Sequence, residues 1–103
     1  MPSASEIYSK KTIVEIVERA IILDTFAAAI IKAVKERTEI TDGREVLKQL
    51  AEAAQYCQQA LEFYDEDDPM PQEVAEAMAG MQGSIADLVT AFLAYVTLKD
   101  LLA

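Results

Sequence analysis

Residues 13–34 set the terms for the whole chain. Of these 22 positions sixteen are Ile, Val, Leu, Phe or Ala, none is Gly or Pro, and only Glu15, Glu18, Arg19, Asp24, Thr25 and Lys32 are polar. Alternating steps of three and four pick out Ile13, Ile16, Ala20, Leu23, Ala27, Ile30 and Val34, the buried seam of a helix. Val14, Ile21 and Ala28 run along one flank of that seam and Val17 and Ile31 along the other, with Asp24 between the last two. One helix face cannot hide so much apolar surface, so this helix is expected to touch neighbours on two or three sides.

Two interruptions divide the rest of the chain. Residues 38–43 form the first, where Thr41 or Asp42 is placed to cap a new helix and Asp42 with Glu45 has capping-box spacing. The second is the run Asp65-Glu66-Asp67-Asp68-Pro69-Met70-Pro71, which cannot continue a helix and places Pro71 at the favoured first turn of the next one. The first helix is expected to be capped by Ser3 or Ser5.

The second segment reads as a seam of Leu47, Leu50, Ala54, Cys57, Leu61 and Tyr64, kept slim by Ala51, Ala53 and Ala60. In the third segment Val74, Met78, Met81, Ile85, Leu88, Phe92, Tyr95 and Leu102 form the seam, with Lys99 interrupting it. Gly80 and Gly83 cost roughly 1 kcal/mol each in helix propensity. Close packing against the second helix or a second subunit would account for them. Because the repeat keeps its phase across both glycines, a single long helix is expected, bent if anything there; a split near 80–83, giving a four-helix look, is the alternative.

The expected fold is therefore all-α: an antiparallel three-helix bundle with coiled-coil-like seams, one domain over residues 1–103 with helices at about 5–37, 43–64 and 71–102. The surplus apolar flanks of the first helix point to a homodimer whose interface takes in Val17, Ile21, Ile22, Asp24, Ala28 and Ile31.

Charge is segregated. Residues 1–40 carry six basic and six acidic side chains, whereas residues 41–103 carry three basic and twelve acidic ones, so the net charge of −9 belongs to the second part. No Lys or Arg lies between Lys48 and Lys99. Such a surface repels phosphate backbones and anionic lipid, which argues against direct nucleic-acid or membrane binding. The single Cys57 makes no internal disulfide, and Glu15, Glu18, Arg19 and Asp24 break up what would otherwise imitate an export signal. A cytoplasmic protein is expected.

The chain has no His, which removes Ser-His and Cys-His nucleophiles, imidazole-ligated zinc and the Glu-x-x-His pairs of di-iron bundles. Metal chemistry would have to be all-carboxylate. Two Glu-x-x-Glu pairs, Glu15 with Glu18 and Glu73 with Glu76, together with Asp87, frame an enzyme alternative: Mg²⁺-dependent nucleotide pyrophosphohydrolysis. The pairs lie toward the polar strips, and a solvated surface is the preferred reading. Gly83-Ser84-Ile85 has the serine of an acyl-carrier helix but not its preceding Asp, and reads as a serine at a helix kink. Residues 65–68 lack the Asp-x-Asp-x-Asp-Gly order of a calcium loop. Neither a cofactor, a metal site nor a catalytic residue is expected.

What remains is binding. The leading expectation is a non-enzymatic acidic adaptor or inhibitor that engages a basic surface of another protein, in the extreme as a nucleic-acid mimic, through Glu62, Asp65, Glu66, Asp67, Asp68, Glu73 and Glu76. The alternative is a structural or assembly subunit that uses the first helix as its contact surface.

Overall fold

The structure is a computed structural model that describes residues 4–40 and 43–102, with side chains from residue 6 onward. Three helices occur in order: α1 (Ala4–Glu36), α2 (Gly43–Phe63) and α3 (Gln72–Leu102), with no strand among the described residues. The chain is an all-α three-helix bundle, elongated at 58 × 21 × 19 Å. α1 and α3 run parallel and pack on each other, and α2 returns antiparallel against both. Contacts at the two ends show this: Ser9 of α1 meets Tyr64 at the end of α2, while Lys99 near the end of α3 meets Glu39 just after α1.

The helix ends have identifiable causes. α1 stops in a Schellman motif, with the Arg37 N–H donating to the Val34 carbonyl and the Thr38 N–H to the Ala33 carbonyl at 2.9 Å. Arg37 takes the left-handed φ of 58° that this motif needs and that Gly usually supplies. The Pro71 carbonyl accepts from both Val74 and Ala75, opening α3. The loop before it is ordered by Asp65, whose carboxylate accepts from the N–H groups of Asp67 and Asp68. The caps expected from Ser3, Ser5, Thr41 and Asp42 lie outside the described residues and side chains.

The core follows the α1 and α3 seams. Ile16, Leu23, Ala27 and Ile30 are buried against Val74, Met78, Met81 and Leu88, with Ile13, Ala20, Val34 and Ile85 half-buried around them. α3 is one continuous helix through both glycines. The Ser84 hydroxyl donates to the Gly80 carbonyl, an ordinary satisfied helical serine.

Two expectations are corrected by the packing. In α2 the buried residues are Val46, Ala53, Cys57, Ala60 and Tyr64, whereas Leu47 and Leu61 are 55% and 58% exposed. Cys57, Tyr64 and half-buried Leu50 keep their expected places in the seam, while Leu47, Ala54 and Leu61 yield theirs to Val46, Ala53 and Ala60 one residue earlier. The closest helix approach is also not against α2. α1 packs far more tightly on α3 than either does on α2, with the small residues Ala27, Ser84 and Ala91 buried between them. A Cβ built on Gly80 or Gly83 would meet nothing within 4 Å, so packing on α2 does not account for these glycines.

Candidate functional site

α1 has three sides, and the chain covers two of them. One faces α2. There Arg19 pairs with Glu52 at 2.6 Å and lies over the Tyr56 ring, Tyr56 donates to Glu15, and Tyr8 stacks on Phe63. The second side faces α3. The third carries Val14, Val17, Ile21, Ala28 and Ile31 and is open: Val14 is 56% and Ile21 59% exposed.

Ala28 and Ile31 also line a groove of about 560 Å³ between α1 and α3, on the side away from α2. Its floor is made by buried Ala27 and Ala91, and its walls by Asp24, Ala28, Ile31 and Lys35 from α1 and Asp87, Thr90 and Ala94 from α3. Both walls arise from helical spacing. Asp24, Ala28, Ile31 and Lys35 recur at steps of four, three and four; Asp87, Thr90 and Ala94 recur at steps of three and four on α3, in the same phase as Gly80 and Gly83 beyond the groove. The groove is shallow because its α3 wall is built of small residues. It is apolar along its length and charged only at Asp24, Asp87 and Lys35, none of which makes an ion pair among the described residues.

Of the six residues expected at an interface, Val17, Ile21, Asp24, Ala28 and Ile31 share this open face. Ile22 does not: one residue on from Ile21, it turns toward α2 and borders a small hollow with Glu15, Glu18, Arg19 and Tyr56. The α3 wall gives no apolar signal in the sequence: Asp87, Thr90 and Ala94 share a face by spacing alone.

The acidic residues gather at one end of the bundle. Glu62, Asp65, Glu66, Asp67 and Asp68 are exposed where α2 runs into the loop, and Glu73 and Glu76 are exposed in the first turns of α3. They are not a bare anionic surface. Glu62 and Glu76 accept from Gln58 and Gln72, Asp65 is engaged in its own loop, and Glu73 lines a hollow with Lys10 of α1.

The carboxylates of the metal alternative are dispersed. Glu15 and Glu18 lie beside Arg19 and Tyr56 on the α2 side, Asp87 sits in the α1–α3 groove, and Glu73 stands at the end of the bundle. Among the described residues no group of three or more His, Cys, Asp or Glu side chains is placed to hold a metal ion. Cys57 is buried, and burial pushes its thiol above the ordinary value. Its thiolate is thereby disfavoured at neutral pH. Met78 and Met81 are core residues, and Met70 packs half-buried against the core. At the opposite end Lys99 donates to Glu39 at 2.6 Å; that hydrogen bond holds the exposed Glu39 below, and Lys99 above, their usual values.

No helix among the described residues is long and apolar enough to cross a membrane. No family model, curated protein or solved structure matches this chain.

Proposed function

We propose that this chain is a non-enzymatic protein–protein interaction module, an assembly subunit whose contact surface is the open α1–α3 face. The observation that carries the reading is the apolar surface of α1 from Val14 through Ile21 to Ile31, interrupted only by Asp24, left uncovered by α2 and α3 and reaching the groove between α1 and α3 at Ala28 and Ile31. Each of these side chains is about half exposed, so covering it contributes on the order of 1 kcal/mol. Exposed apolar patches of this extent on a folded domain mark contact surfaces.

A second reading keeps the acidic end as the contact, with Glu62, Glu66 and Asp67 meeting a basic partner in the manner of an adaptor or inhibitor. Its support is the loop, in which Asp65 organises the backbone so that the following carboxylates point outward.

The two readings separate on where substitutions hurt. Affinity capture from the native cell is the test, with the unaltered chain compared to one carrying Ile21→Glu with Ile31→Glu and one with Glu62, Asp65, Glu66, Asp67 and Asp68 made neutral. The module reading expects the first variant to lose its partners and the second to keep them. The reverse pattern, with binding that weakens steeply as salt rises, establishes the acidic end instead.

A further inference from the structure

We infer that the open α1–α3 face seats a second copy of this chain, docked antiparallel about a two-fold axis passing near Ala28 and Ile31, so that Lys35 of each copy lies at the Asp24 and Asp87 carboxylates of the other. The inference rests on the reading of this face as the contact surface, and names its occupant.

Charge decides where a second copy can approach. Two chains of net charge −9 repel, and the repulsion is strongest across α2 and its loop, where residues 43–68 carry two basic and seven acidic side chains. α1 carries five of each. The groove lies on the side of the bundle away from α2, so copies meeting there keep their acidic surfaces apart.

Within the groove the charges are complementary to themselves. Asp24 and Asp87 stand at one level on opposite walls, and Lys35 lies eleven residues further along α1, about 16 Å away by helical rise. A parallel two-fold would set Asp24 of one copy against Asp87 of the other and gather four carboxylates with no cation between them. Turning the second copy end for end replaces that clash with two ammonium groups, one at each carboxylate pair. The same register places Ala28 of each copy at Ile31 of the other, small against large.

The contact is small but sufficient. In this register residues 23–36 of α1 lie opposite one another, roughly 21 Å of helix, and residues 83–102 of α3 do likewise, roughly 30 Å, on a bundle 21 Å wide. That is a flat footprint of about 500 Å² per copy, or about 1,000 Å² in all, the lower limit for a specific interface. Gly83 then falls opposite the last turn of the partner's α3, where Leu101 is 78% exposed in the single chain. A glycine there lets the partner's helix come close, which accounts for a residue that helix propensity disfavours.

Sedimentation equilibrium of the purified chain tests this with two charge variants, Lys35→Glu alone and Asp24→Lys combined with Asp87→Lys, each checked for helical circular dichroism. The unaltered chain should self-associate, each variant alone should associate at least about tenfold more weakly, and an equimolar mixture of the two should recover a dimer of one copy of each. Recovery in the mixture is the outcome that a loss of folding cannot imitate. Association of both variants at the strength of the unaltered chain, or no recovery on mixing, overturns the docking. An unaltered chain that stays monomeric overturns the second copy as occupant; the contact-surface reading falls separately, if capture of other proteins survives Ile21→Glu with Ile31→Glu.

Discussion

Ser9 and Tyr64, 55 residues apart in the chain, share a buried hydrogen bond of 2.6 Å between their hydroxyl oxygens. The bond joins the first turns of α1 to the end of α2, the helix that packs most lightly in the bundle. Tyr8 and Phe63 surround it, stacked on each other, with Tyr64 edge-on to both. This end of the bundle is therefore held by a specific polar contact inside an aromatic cluster.

Tyr64→Phe keeps the ring packing and leaves the Ser9 hydroxyl buried without its partner. The expected cost is about 1–2 kcal/mol, read as a lower urea midpoint. Adding Ser9→Ala should recover part of the loss, because the orphaned group is removed. A single substitution with no effect, or a double variant weaker than the sum of the two, contradicts the bond's role.

The two α3 glycines make a sharper case. Neither has a positive φ, and a Cβ on either meets open space within the single chain. Gly80→Ala should therefore raise monomer stability by about 0.5–1 kcal/mol, seen as a higher thermal midpoint. Gly83→Ala should do the same for dilute protein and weaken self-association at high concentration. If Gly83→Ala stabilises equally at all concentrations, nothing comes close to it.

Cys57 gives a pH dependence with a definite sign. Its folded thiol is pushed by burial above the ordinary 9.0. The thiol of the unfolded chain ionises first as pH rises, and the folded one holds its proton longer. Stability from this group is thus level below 9.0 and falls as pH climbs toward the folded value. Urea unfolding at a series of alkaline pH values should show a loss that Cys57→Ala removes. In the folded chain a thiol reagent should react slowly with Cys57, and quickly once urea is added.

The sequence made some of this architecture readable and left other parts hidden, for physical reasons. Ile16, Leu23, Ala27 and Ile30 could be placed in the core because a helix buried on two sides leaves little choice of seam. In α2, Leu47 and Leu61 competed with Val46 and Ala60 one residue away. Counting large apolar residues favours the leucines, while the packing selected the smaller side chains. The apolar surplus of α1 is legible in the sequence, but the two flanks expected for it are one: Val14, Ile21 and Ala28 share the open face with Val17, Asp24 and Ile31. Ile22 was misplaced with them because a single residue turns a helix by about 100°, which carries it toward α2. The α3 wall of the groove was hidden because Asp87, Thr90 and Ala94 give no apolar signal. Smallness marks a face only once the neighbouring helix is known.

The docking proposed for this chain turns on a second copy covering the α1–α3 face. The most direct measurement is the broadening of methyl resonances by a soluble paramagnetic agent, tracked as the concentration of the purified chain is raised. The methyls of Ala28 and Ile31 should become protected with concentration, while those of Leu47 and Leu61, exposed on α2, should stay accessible. Uniform accessibility at every concentration, or protection that appears on Leu47 and Leu61 first, would contradict it.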